Sequence, residues 1–165
     1  MKKITYLILA LCLMVFITAC GKKETTTTGT TQTAEKPKSM MGAETEQQKM
    51  INDGRGIGEI KMVSLSVPLE QERVKRGKDV YDMKCSACHK LTSERFVGPG
   101  WEGVTTRRKP EWIMNMTTNA DVMLERDPEA QKLLELCLTR MPNQNVSIGD
   151  ARDVLEYMRS NDGVK

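Results

Sequence analysis

Cys85-Ser86-Ala87-Cys88-His89 sets two thiols three residues apart with an imidazole directly after the second. This is the C-x-x-C-H signature of covalent c-type haem attachment. The spacing follows from the chemistry: two thiols form thioethers with the two vinyl groups on one porphyrin edge, and the imidazole turns inward to bind iron from one face. His89 is the single histidine of the chain, so it alone can supply a side-chain nitrogen to iron. Two other readings use the same residues. A thioredoxin-like dithiol needs a βαβ context, whereas the flanking sequence is helical in pattern. A structural zinc site needs four Cys or His ligands, usually in two separated pairs. Only Cys137 remains nearby as a further ligand, and the adjacent Cys88 and His89 are poorly placed to grip one ion together.

A second axial ligand has to come from elsewhere. Thioether sulfur is the usual partner of histidine in electron-transfer haems, where it raises the potential relative to bis-histidine ligation. Among twelve methionines, Met141 follows a helical run that should stop near Thr139 or Arg140, and it precedes Pro142. That puts it on a loop held by proline on one side and by a capped helix soon after. Met114, Met116 and Met123 compete, in segments where helix-face packing is the commoner role. An open or water-bound site is the remaining alternative.

The elements that must position these groups are helical. From Leu69, Val74, Gly77, Val80, Tyr81 and Lys84 fall on i, i+3, i+4 spacing and lead straight into Cys85. Gly77 costs about 1 kcal/mol against alanine inside a helix, which is explained if another helix crosses close to it. The C-terminal helix is the expected partner. Ser147 and Asp150 give an N-cap signal, Ile148, Ala151, Val154, Leu155 and Met158 form an apolar stripe with Tyr157 at its edge, and Asn161-Asp162-Gly163 ends it. Tyr81 is expected against Leu155 and Met158. Between the two, Phe96 to Val104 contains three glycines and a proline and reads as an apolar loop covering a haem face and edge. Short helices are expected from Pro110, carrying Trp112, Ile113 and Met116, and from Asp127-Pro128, carrying Leu133, Leu134, Cys137 and Leu138. Cys137 is expected to be a buried structural thiol.

Residues 44–68 carry fewer signals. Gly54, Gly56 and Gly58 mark a turn-rich loop, not a dinucleotide fingerprint, because Glu59 stands where the last glycine would be needed. Val63, Leu65 and Val67 alternate with serines, so an extended arm along the domain surface is expected, ended by Pro68 and open to a docking role.

The N-terminus addresses the compartment. Lys2 and Lys3 precede an apolar run from Ile4 to Ile17, and Thr18-Ala19 lead into Cys20. This is a signal peptide, and its close on cysteine resembles a bacterial lipoprotein signal (residues 1–19), which implies lipidation of Cys20. A plain secretory signal or an uncleaved anchor is the competing reading, though the run is short for a span of about 20 residues. Cys12 would leave with the signal. Residues 20–43 then form a Thr-rich tether expected to be disordered, with a reach of about 25 Å for about 20 flexible residues. The chain carries 25 Lys and Arg against 22 Asp and Glu without a basic block. This gives no sign of nucleic-acid binding and leaves partner choice to local patches.

Taken together, Gly77, Tyr81, Cys85-Ser86-Ala87-Cys88-His89, Gly98-Pro99, Met141-Pro142 and the helix with Tyr157 resemble a class I (mitochondrial-type) monohaem cytochrome c roughly over Leu69 to Ser160, within an expected domain of residues 69–165. The resemblance implies an all-α fold with N- and C-terminal helices crossing beside one covalent haem c. It also implies that the Pro99 carbonyl accepts from His89 Nδ1–H, a contact that orients the ring and tunes the metal. Arg107 or Arg108 and Trp112 resemble propionate donors, and Trp101 stands where the family usually has leucine. The stretch from Pro110 to Asn145 is similar to lipoprotein cytochromes that accompany periplasmic nitrous oxide reductase and related respiratory systems.

The expected function is a monomeric, membrane-tethered periplasmic electron carrier between a quinol-oxidising complex and a terminal reductase or oxidase, and not an enzyme. A haem peroxidase or a haem-based gas sensor would need an open sixth position. Peroxidases often carry a second haem as well, and the chain has one C-x-x-C-H.

Overall fold

The computed structural model describes residues 44–165. The expected signal peptide, Cys20 and the tether lie outside them. Among the described residues all regular structure is helical: α1 (Glu46–Asn52), α2 (Gln71–Lys84), α3 (Val104–Arg107), α4 (Pro110–Thr118), α5 (Ala120–Arg126), α6 (Pro128–Cys137) and α7 (Ile148–Asn161). None of these helices is long and apolar enough to cross a membrane.

The main helix pair is α2 on α7, and Gly77 is the reason they can meet. A Cβ there would collide with the Asp153 carbonyl and stand 3.0 Å from Tyr157 Cβ, so only hydrogen lets the backbones approach. The α7 cap is as expected, with Ser147 Oγ accepting from Asp150 N–H. Ala151, Val154, Leu155 and Met158 are buried, but Ile148 is half exposed. Asp153, Glu156 and Arg159 are buried with them. This is tolerable because each is paired: Asp153 with Arg73 and Arg76, Glu156 with Arg152 and Arg159. Tyr81 stacks on Trp101 at 5.0 Å and Tyr157 at 5.5 Å between ring centroids.

The short helices follow their start signals. Pro110 and Pro128 sit in the first turns of α4 and α6, where a missing N–H costs nothing. Asp127 caps α6 by accepting from Glu129 and Ala130 N–H. α6 ends at Cys137, two residues before the expected stop, because Leu138 turns left-handed at φ 54°.

Residues 44–68 depart most from expectation. Thr45 caps α1, and Met50, Ile57 and Ile60 enter the core. The stretch up to Ile60 is thus packed into the core, while Met62, Leu65 and Val67 stay exposed along the surface.

Candidate functional site

α2 delivers the attachment turn. Its C-cap Cys85 donates N–H to Tyr81 carbonyl, and the Cys85 carbonyl then accepts from Cys88 N–H at 3.0 Å and His89 N–H at 2.9 Å. One tight turn therefore presents both thiols and the imidazole to the same cavity. The following loop folds back on it: Gly98 N–H donates to Cys88 carbonyl and Trp101 N–H to Lys90 carbonyl. This brings Pro99 carbonyl 2.9 Å from His89 Nδ1. A carbonyl can only accept, so Nδ1 carries the proton and Nε2 holds the lone pair. A Cβ on Gly98 would collide with His89 Cε1, so the ring position depends on that glycine. Burial lowers the His89 pKa and so favours the neutral, metal-binding imidazole, while the Pro99 contact opposes that shift.

Burial pushes the Cys85 thiol up to about 11, with Lys84 opposing and Cys88 adding to the shift. A reactive dithiol needs the opposite, a lowered thiol pKa, so the thioredoxin-like reading loses support. No group of three or more His, Cys, Asp or Glu among the described residues could hold a metal ion, which counts against zinc.

The cavity encloses about 1340 Å³ of space not filled by protein atoms, part of it open to solvent. Its walls come from α2, α3, α4, α5, α6, α7 and the loops around Pro99 and Met141. Val97, Trp101, Ile113, Leu133 and Met158 give it a largely apolar lining. Thiol pair, Nδ1-anchored imidazole, thioether and apolar walls together match the donor set of haem c.

Met141 lines this cavity, and so does Met116. Met123 does not: it is fully buried elsewhere and its sulfur accepts from Ile57 N–H at 3.0 Å. Met114 is buried outside the lining as well. Lys84 Nζ ties the Met141 loop to the attachment turn through Gln144 carbonyl at 2.9 Å, and Arg140 Nη2 ties it to α5 at Asp121 and Glu125.

Several expectations change. Trp112 lines the cavity, but its indole N–H is spent on Asp127 at 3.0 Å and is not offered to a propionate. The carboxylate that caps α6 captures the ring. Arg107 donates to Glu102 and Gly100 carbonyls, while Arg108 pairs with Glu129 and lies over the Trp112 ring; both remain at the cavity wall. Cys137 is half-buried and lines the cavity with Leu133 and Leu134, since the apolar face of α6 points there and not into a closed core. Phe96 is exposed, with Lys90 over its ring, and does not cover the cavity.

A family model described as "Cytochrome c" matches residues 74–162, more than half of the chain. A "Cytochrome c-553-like" protein of Synechocystis is 25% identical over 63 residues, 37% of this chain, and the chain spans 60% of that relative's length. The solved cytochrome c from Rhodothermus marinus is 32% identical with a TM-score of 0.65, over 73% of this chain and all of that one. An engineered form of it is 35% identical with a TM-score of 0.61, over 64% and 90% respectively.

Proposed function

Because the chain belongs to the cytochrome c family and its short helices share the class I fold of these structural neighbours, we propose that it is a membrane-tethered electron carrier. One observation carries the electron-carrier part of this reading: a single cavity is lined by Cys85, Cys88, the Pro99-anchored His89 and Met141. A haem c bound there supplies a reversible one-electron Fe(III)/Fe(II) couple.

Cys85 and Cys88 fix the group through thioethers. His89 offers the Nε2 lone pair, because its Nδ1 proton is given to the Pro99 carbonyl, which also stops the ring from rotating. Met141, on the cavity wall, would hold the iron together with His89 and so leave no open coordination position for a substrate, which favours a carrier over a peroxidase or gas sensor. Trp101 and the apolar walls would shield the group, and Arg107 and Arg108 at the cavity wall would supply positive charge for its propionates. Lipidation at Cys20 would confine the domain to the periplasmic side of a bacterial membrane. A quinol-oxidising complex is the proposed donor. The proposed acceptor is a terminal reductase or oxidase, with nitrous oxide reductase suggested by the likeness of residues 110–145.

The test is expression of the full chain in a host that matures c-type cytochromes. Haem staining should survive acid acetone and a denaturing gel, and the ferric protein should show the far-red charge-transfer band of sulfur on iron. A high-spin spectrum with rapid carbon monoxide binding would overturn the carrier reading. Cys20→Ser should move the protein from the membrane to the soluble fraction; an unchanged distribution would remove the lipid anchor.

A further inference from the structure

The glycine cluster at residues 54–58 has no part in the haem site, yet it makes the most directed contacts of the N-terminal segment. Residues 55–66 run across three helices and hydrogen-bond their main chain to side chains on each. Ile57 N–H donates to Met123 sulfur on α5. Asn115 on α4, fully buried, accepts from Ile60 N–H at 3.1 Å and donates Nδ2 to the Ile60 and Arg55 carbonyls at 3.0 and 3.1 Å. Glu111 on α4 accepts from Val63 N–H at 2.9 Å. Arg152 and Arg159 on α7 donate to the Ser64 and Ser66 carbonyls.

The glycines permit this approach. A Cβ on Gly58 would collide with Asn115 Oδ1, and one on Gly56 would stand 2.7 Å from Met123 Cε. All three helices also line the cavity: α4 with Trp112, Ile113 and Met116, α5 with Leu124, α7 with Val154 and Met158. The Met141 loop hangs on the same wall, because Arg140 reaches Asp121 and Glu125 of α5.

We infer that residues 55–66 brace the cavity wall, and that Asn115, which staples them, is a positioning residue for the Met141 sulfur. The inference rests on the haem reading above. Loosening the brace frees α4 and α5 to shift, and Arg140 carries that shift to Met141. The sixth position is then open for a larger fraction of the time, and the apparent affinity for an added ligand rises in proportion to that fraction.

The probe is imidazole titrated into the ferric full-length holoprotein. Asn115→Ala and Gly58→Ala attack one contact from its two sides. Both should bind imidazole about tenfold more tightly than the unaltered protein and lose far-red band intensity, while haem staining and helical circular dichroism persist. Met62→Ser, on the exposed side of the segment, should change nothing. Affinities equal to the unaltered protein in both variants would overturn the inference, as would an equal gain in Met62→Ser.

Because coupling is reciprocal, a second measurement needs no variant. Saturating the unaltered protein with imidazole should raise hydrogen exchange in residues 55–66 together with α4. Exchange raised only in the Met141 loop would sink the brace. Absence of haem staining or of the sulfur band in the unaltered protein would instead defeat the haem reading, whatever the variants do.

Discussion

The His89 turn and the Met141 loop line one cavity but are held by different means. His89 is fixed within its own stretch of chain: Pro99 holds its ring, Gly98 gives it room, and Tyr81 Oη donates to its carbonyl at 2.8 Å. Met141 is held by residues distant in sequence, through Lys84 to Gln144 and through Arg140 to α5. Short closed loops cost little entropy to form and leave few alternatives. The histidine side is therefore self-contained, whereas the methionine side is only as firm as the packing of other helices.

That contrast can be broken most severely from the histidine side. Gly98→Ala drives a methyl group into the His89 ring and should separate it from Pro99, with iron affinity at the imidazole falling about 10–100-fold. The ferric spectrum should gain a high-spin component although both thioethers stay intact, and a preserved low-spin spectrum would show that the loop can yield. Met141→Ala comes next. The reduction potential should drop and carbon monoxide should bind the ferrous form rapidly, with haem still covalently attached; an unchanged spectrum would reject Met141 as the ligand.

A gentler break is Lys84→Ala. Losing the hydrogen bond to Gln144 carbonyl should cost the loop about 1 kcal/mol, so imidazole should bind about fivefold more tightly. No gain would place the hold on this loop elsewhere.

The smallest effect at the iron should come from the shared frame. Burial alone would raise the Asp153 carboxyl pKa, but hydrogen bonds from Arg76 and Arg73 outweigh it and hold the group below its ordinary value. A depressed folded pKa contributes stability that is present above the unfolded value and lost as pH falls through the folded one. Urea unfolding followed from about pH 6 to about pH 2 should show this acid loss. Asp153→Asn should flatten it, and a parallel curve would exclude Asp153 as its source.

Much of the site could be read in advance because its signals are local. Cys85, Cys88, His89 and the Gly98-Pro99 pair lie within one short stretch whose spacing is set by bond lengths and turn geometry. Gly77 and the Ser147 cap were likewise legible, since each is a residue type with few reasons to stand where it does. The seven-residue helices α1 and α5 were not legible. Helices that short are unstable alone, and they form here because Met50, Met123 and Leu124 are buried by neighbours. Trp112 misled for a related reason: an indole N–H beside a propionate and one beside a capping Asp127 look identical in sequence.

By itself the sequence determined the spacing of the two thiols, the single available imidazole, the crossing of α2 and α7, and the starts of α4, α6 and α7. These depend on residue type and on separations of a few positions. Only the tertiary structure decided that Met123 is spent on Ile57, that Cys137 faces the cavity, and that the glycine-rich stretch before α2 hydrogen-bonds to helices that line it. Each of these turns on which distant side chain reaches a given atom first, a contest settled by packing in three dimensions and not by spacing along the chain.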